Sequence, residues 1–223
     1  MSSDEHTCRL YLVTPPQIDL KKFPEQLKRA FSGGDVASLQ LRLKGASDDE
    51  ILEAADIILP ICREHHAAFM MNDSAELCAQ ARADGVHLGQ DDMGVGEARK
   101  IIGPDRIIGV SAHASRHMAM EAGDQGADYV AFGAFYPTTS KPKEKIEKWG
   151  TPSPEILSWW SETTVLPCVA IGGINPGNCE PLVQAGADFI AAITAVWDHP
   201  EGPAMAVKEF NAAIKRATSG KKL

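Results

Sequence analysis

The residues with the most chemical content fall in short groups along the chain. Gln40-Leu41-Arg42-Leu43-Lys44 alternates with period two, which throws Gln40, Arg42 and Lys44 to one side and Leu41 and Leu43 to the other. An amide beside a planar guanidinium fork and an ammonium point charge suits a diphosphate, although a solvated amphipathic strand has the same pattern. Asn72-Asp73 and Gly89-Gln90-Asp91-Asp92 supply carboxylates at the ends of two further apolar runs. Hard oxygens of that kind suit Mg²⁺, which takes few protein ligands and keeps several waters. The plainer reading of Asp73 is a helix cap ahead of Ala75. Ser111 offers a hydroxyl, and Thr138-Thr139-Ser140-Lys141 three hydroxyls and a cation. The Gly172-Gly173-Ile174 turn lets backbone approach an anion closely. No Ser-His-Asp or Cys-His set stands out, so nothing points to a protein nucleophile.

These groups need a scaffold that brings distant segments to one place. Apolar, β-branched runs are expected as strands at 10–14, 38–44, 67–72, 85–89, 107–111, 129–135, 167–172 and 189–194. Helical periodicity lies between them, at 24–31, 48–65, 75–83, 96–102, 115–125, 154–160, 176–185 and 203–217. Ser47 and Glu50 have the spacing of a capping box, which sets the start of the second helix. Several strands are apolar throughout, as parallel strands covered on both faces are. Eight such units close most simply into a TIM (β/α)8 barrel, an α/β fold of roughly 200 to 250 residues. A doubly wound sheet is the rival, but no G-x-G-x-x-G follows the first strand.

A TIM barrel carries its chemistry at the C-terminal ends of its strands, where every group above is expected to fall. Residues 137–154 make an unusually long connection, of the length used for lids and binding loops. The sequence Ala83-Asp84-Gly85 is echoed by Gly126-Ala127-Asp128 and Gly186-Ala187-Asp188, each between a helix and the next strand. These are read as turn punctuation.

The 223 residues are expected to form a single domain spanning 1–223, with loose termini at 1–8 and 219–223. With 22 Lys and Arg against 30 Asp and Glu, the net charge of −8 disfavours nucleic acid and anionic membranes as partners. Five widely spaced cysteines without a C-x-x-C suit reduced thiols, and no leader or long apolar run is evident, so a cytoplasmic protein is expected. The partners expected are small-molecule substrates; the oligomeric state is open, a homo-oligomer included. His113 and His117 have a metal-ligand spacing, but their ordinary reading is a partly exposed pair at a helix start. Trp159-Trp160 is read as barrel packing or a subunit contact.

The ordered set QLRLK, ND, HLGQDD, GVSAH, PTTSK, GGI and IT resembles the thiamine-phosphate synthase (thiamine-phosphate pyrophosphorylase) family from about Arg9 to Trp197. That resemblance implies a TIM-barrel transferase that joins a pyrimidine diphosphate to a thiazole phosphate with Mg²⁺ and releases pyrophosphate. It further implies that Gln40, Arg42 and Lys44, with the backbone of Leu41 and Leu43 between them, bind the pyrimidine diphosphate together with Asn72, Ser111 and Lys141. Arg42, Lys44, Ser111 and Lys141 would act on the leaving group, and Asp73 and Asp92 would be the metal ligands. Thr138, Thr139, Ser140, Gly173, Ile193 and Thr194 match the thiazole-phosphate positions. Two positions depart from the usual pattern: Ser140 stands where the family has Thr, and Thr194 where it has Ser. The alternatives are a thiazole tautomerase-like paralogue, a non-catalytic thiazole-phosphate binder and a Schiff-base aldolase using Lys44 or Lys141.

Overall fold

In the computed structural model, which describes residues 7–138 and 148–219, eight parallel strands close into a barrel in sequence order. They are β1 (Arg9–Val13), β2 (Ser38–Leu41), β3 (Ala68–Asn72), β4 (Gly85–Leu88), β5 (Ile107–His113), β6 (Tyr129–Phe132), β7 (Cys168–Ile171) and β8 (Phe189–Ala192). The described helices are α1 (Phe23–Ser32), α2 (Asp48–Glu64), α3 (Ala75–Ala81), α4 (Val95–Ile102), α5 (Arg116–Asp124), α6 (Glu155–Thr163), α7 (Glu180–Gln184), α8 (Thr194–Trp197) and α9 (Pro203–Ser219). The molecule is a single-domain TIM barrel, as expected.

Period-two alternation divides each strand between two apolar layers. Leu10, Leu12, Leu39 and Leu41 join the large cluster packed under the helices, whereas Tyr11, Val13, Met70, Tyr129 and Val169 fill the barrel. Gln40 belongs to the inward set of β2 and is buried, while Leu41 faces the helices. The capping box forms as the spacing predicts: Ser47 Oγ accepts from Glu50 N, and the Glu50 carboxylate accepts from Ser47 N at 2.7 Å. Trp160 is buried against Phe132 and Trp159 packs beside it, which supports the packing role expected of this pair.

The three echoed aspartates share one structural task. Asp84, Asp128 and Asp188 each accept from a backbone N–H at the start of the preceding strand, Phe69, Ile108 and Cys168 respectively, at 2.7 Å. The backbone N–H of each aspartate returns a bond to the carbonyl of that same residue. The resulting two-bond clasp locks β3 to β4, β5 to β6 and β7 to β8 at the end of the barrel remote from the strand C-termini. Hydrogen bonds to a charged acceptor contribute about 1.5–3 kcal/mol each.

Several boundaries differ from expectation for local reasons. β2 stops at Leu41 because Arg42 N donates to Thr14 Oγ1 at 2.9 Å rather than into the ladder. β5 runs on to His113 through a register shift at Ser111/His113. The seventh helix starts at Glu180 rather than residue 176: Asn175 Oδ1 accepts from Gly177 N, and Asn178 Oδ1 from Asn175 N, so side chains satisfy a turn there. β8 stops at Ala192, and Thr194, expected to end the last strand, instead opens the short helix α8. Cys8 and Ser219, expected in loose termini, are respectively buried and part of α9.

All five cysteines are buried and free. Burial pushes the Cys168 thiol up to about 12 and those of Cys78 and Cys179 to about 11, which suits inert core residues. Among the described residues no helix is long and apolar enough to cross a membrane.

Candidate active site

The C-terminal strand ends surround a cavity of about 290 Å³. Gln40, Arg42, Lys44, Asn72, Asp73, Asp92, Ser111, Thr138, Gly173, Ile193 and Thr194 all line it, so the barrel brings together residues drawn from every part of the sequence. Leu41 and Leu43 are turned toward the hydrophobic layer under the helices, leaving only their backbone available to a ligand. Thr139, Ser140 and Lys141 lie outside the described residues.

Arg42 and Asp73 face each other across the β2 and β3 ends. Burial pulls the Arg42 guanidinium below its ordinary value, while the negative charge of Asp73 acts in the opposite sense. Asp73 shows the converse balance. Partial withdrawal from water pushes its carboxyl up to about 6, helped by the charge of Asp92 and a hydrogen bond with it; Arg42 and a hydrogen bond from Asn72 oppose the rise.

The backbone builds this carboxylate pair. Asp73 has a left-handed φ of 65° and donates its N–H to the His87 carbonyl at 2.8 Å, and Gly89 N donates to Asp92 Oδ2 at 2.6 Å. The capping role first considered for Asp73 falls instead to Ser74, whose hydroxyl accepts from Leu77 N. Two carboxylates held together, with the Asp73 carboxyl raised, suit a divalent cation, which relieves their repulsion. Carboxylate oxygens are hard donors, and a pair of them fits a hard ion that takes few protein ligands and retains water.

Below the cavity runs a chain of polar side chains inside the barrel. Ser111 Oγ lies 2.9 Å from His87 Nε2, and His87 Nδ1 lies 2.9 Å from Tyr129 Oη. Tyr129 Oη is 3.0 Å from Tyr11 Oη, which donates to Gln40 Oε1 at 3.2 Å; Gln40 Nε2 donates to Asn72 Oδ1 at 2.6 Å. Gly109 makes room for this chain, since a Cβ there would sit 1.9 Å from Tyr129 Cζ.

Residue type and spacing assign no role to His87 and Gln90 within HLGQDD, or to Tyr11, Tyr129 and Trp149. The signal for the two tyrosines was their inward phase on β1 and β6. His113 is a correction: it ends β5 rather than opening a helix, is buried, and stacks on Trp149 with centroids 5.0 Å apart, both lining the cavity. Its supposed partner His117 is exposed on α5 and pairs with Glu121.

At the β7 end, Gly173 has φ 65°, and a Cβ there would come within 2.4 Å of the Pro137 carbonyl oxygen. Gly173→Ala is therefore expected to destabilise the protein by about 1–3 kcal/mol, because both the conformation and the contact must be relieved by backbone movement. Thermal unfolding reads the change; an unaltered melting temperature would contradict the tight approach.

Residues 10–196 match the family model described as thiamine monophosphate synthase. The chain belongs to that family. It is 51% identical over 209 residues to the thiamine-phosphate synthase of Rhodospirillum centenum, covering 93% of this chain and 98% of that one. Its identity to the thiamine-phosphate synthase of Hyphomonas neptunium is 52% over 216 residues, with 93% and 94% covered. The solved thiamine phosphate pyrophosphorylase of Pyrococcus furiosus superposes with a TM-score of 0.81 at 32% identity, over 96% of this chain and 98% of that chain. As a thiamine monophosphate synthase family member, the chain is an enzyme, a transferase of thiamine biosynthesis.

Proposed function

We propose that the cavity condenses a 4-amino-2-methyl-5-(diphosphooxymethyl)pyrimidine with a 4-methyl-5-(2-phosphoethyl)thiazole, forming thiamine phosphate and releasing pyrophosphate. The observation that carries the reading is the convergence of Arg42, Lys44 and Ser111 with the Asp73–Asp92 pair around one cavity. Cations alone would bind any anion. Cations facing a paired carboxylate seat suit a diphosphate that arrives with a divalent ion. A tautomerase moving a proton on a thiazole has no use for that combination.

The bond to be broken joins an electron-rich pyrimidylmethyl carbon to a diphosphate oxygen. Its heterolysis leaves a delocalised cation and places the electron pair on the leaving group. Arg42 and Lys44, with Lys141, stabilise that charge as it develops. The thiazole nitrogen then supplies the electron pair for the new carbon–nitrogen bond, and no protein nucleophile takes part. Mg²⁺ held between Asp73 and Asp92 would supply further charge neutralisation on the diphosphate. Thr138, with Thr139 and Ser140, holds the thiazole, and the backbone at Gly173, Ile193 and Thr194 receives its phosphate. Val13, Ile171 and Ala191 give the cavity an apolar wall.

Pyrophosphate release should require both substrates and Mg²⁺. Release from the pyrimidine diphosphate at an undiminished rate without the thiazole, or a covalent pyrimidylmethyl–protein adduct trapped during turnover, would overturn the reading.

A further inference from the structure

The polar chain beneath the cavity has a direction, and donor–acceptor bookkeeping reveals it. The Asp73 carboxylate accepts from the Asn72 amide nitrogen, so the Asn72 oxygen is free to accept from Gln40 Nε2. Gln40 Oε1 therefore accepts the Tyr11 proton at 3.2 Å. With that proton committed, Tyr11 Oη accepts from Tyr129, whose oxygen in turn accepts from His87 Nδ1–H. A neutral imidazole has a single N–H, so His87 Nε2 is an acceptor, and the group 2.9 Å away is the Ser111 hydroxyl. In this order Ser111 gives its proton inward and presents lone pairs to the cavity. An anionic oxygen would meet the wrong end of that hydroxyl.

The reverse order keeps the bonds from Gln40 to Ser111 but gives one up at the other end. A turned Gln40 sets Oε1 against Asn72 Oδ1 or, if Asn72 turns too, sets Asn72 Oδ1 against the Asp73 carboxylate. A ligand that engages the amides must relieve that contact. If the Gln40 amide turns so that Nε2 donates to Tyr11, each hydroxyl proton along the chain points the other way. His87 then takes its Nε2–H tautomer, and the Ser111 proton is released toward the cavity. Four protons reside on Tyr11, Tyr129, His87 and Ser111 in both orders; on the imidazole the Nδ1–H bond breaks and an Nε2–H bond forms, by proton exchange with solvent at the cavity that His87 and Ser111 line. Tyr11 and Tyr129 are both buried, so water does not readily replace a missing link.

We propose that His87, Tyr129 and Tyr11 are positioning residues that couple the Gln40–Asn72 amides to Ser111, so that a ligand engaging the amides turns Ser111 from an acceptor into a donor toward the leaving diphosphate. The inference rests on the proposed reaction for the identity of that anion. It links the recognition of one part of a substrate to hydrogen bonding at another, through side chains inside the barrel.

The test is a mutant cycle on kcat/KM for pyrophosphate release. In the native background, Gln40→Met and Ser111→Ala should be strongly non-additive, the double variant retaining about tenfold more activity than the product of the single losses. In a Tyr129→Phe background the same two changes should become additive within about twofold. Coupling that survives Tyr129→Phe travels through the substrate and overturns the proposal, as does additivity in the native background. If Tyr129→Phe does not fold, Tyr11→Phe cuts the chain at another link. Ring-nitrogen NMR of the native protein without ligand provides an independent reading: His87 should carry its proton on Nδ1, and a proton on Nε2 would overturn the assigned order. A native enzyme that releases no pyrophosphate from the two substrates would instead refute the proposed function.

Discussion

Replacing Asp73 with alanine is expected to lower Mg²⁺-dependent turnover by about 10²-fold or more, the scale on which loss of transition-state charge stabilisation is felt, while leaving the barrel folded. Asp73 lies after β3 with its side chain at the cavity and caps no helix, so the fold does not depend on its carboxylate. The acid limb of cation binding follows from the same geometry. With its carboxyl raised to about 6, Asp73 is protonated below that pH and the seat is lost; above it the Asp73 carboxylate is charged and available to the cation. Mg²⁺ affinity should therefore fall as pH drops through about 6.

Stability without a cation has the opposite sense. The folded value lies above the ordinary value of 3.8, so the contribution of this group is full below about 4 and is lost as pH rises through about 6. Asp73→Ala should remove that loss together with the response of stability to Mg²⁺. Calorimetric titration with Mg²⁺ at pH 5 and at pH 7.5, on native and variant protein, checks both ends. Unchanged turnover in Asp73→Ala would exclude this carboxylate as a metal ligand.

Arg42→Met is the second substitution with a large expected effect. Methionine keeps much of the aliphatic stem but removes the forked donor, so kcat/KM for the pyrimidine diphosphate should fall by about 10²–10³-fold. Arg42→Lys should recover only part of the loss, because an ammonium cannot reproduce two parallel hydrogen bonds to phosphate oxygens. A second consequence separates charge from contact. Arg42 holds the Asp73 carboxyl down, so in Arg42→Met the acid limb of Mg²⁺ binding should move to higher pH. An acid limb that stays in place would show that the two side chains do not sense each other across the cavity.

Sequence periodicity revealed the barrel because each strand is a short apolar run and each helix an amphipathic one. Those signals lie within about ten residues of the groups they position. The phase of β2 was likewise sufficient to turn Gln40, Arg42 and Lys44 to one side, and inward phase is what the structure shows for Gln40. What periodicity could not convey was height along the barrel axis. Tyr11 and Tyr129 are 118 positions apart, and their hydroxyls meet at 3.0 Å only because barrel closure and strand stagger bring β1 and β6 to the same level. His113 was misplaced for a related reason, since the register shift between β5 and β6 extends its strand beyond what the pattern of β5 alone suggests.

By itself, then, the order of residues determined the secondary elements, the strand ends that bear chemistry and the family to which the chain belongs. These depend on local spacing and side-chain type, both of which a linear sequence carries. Tertiary structure alone decided that Asp73 and Asp92 share a boundary with Arg42, that Ser74 rather than Asp73 caps α3, and that His87 stands between Tyr129 and Ser111. Those facts depend on distances between separate strands, and barrel closure sets such distances through the packing of the whole chain.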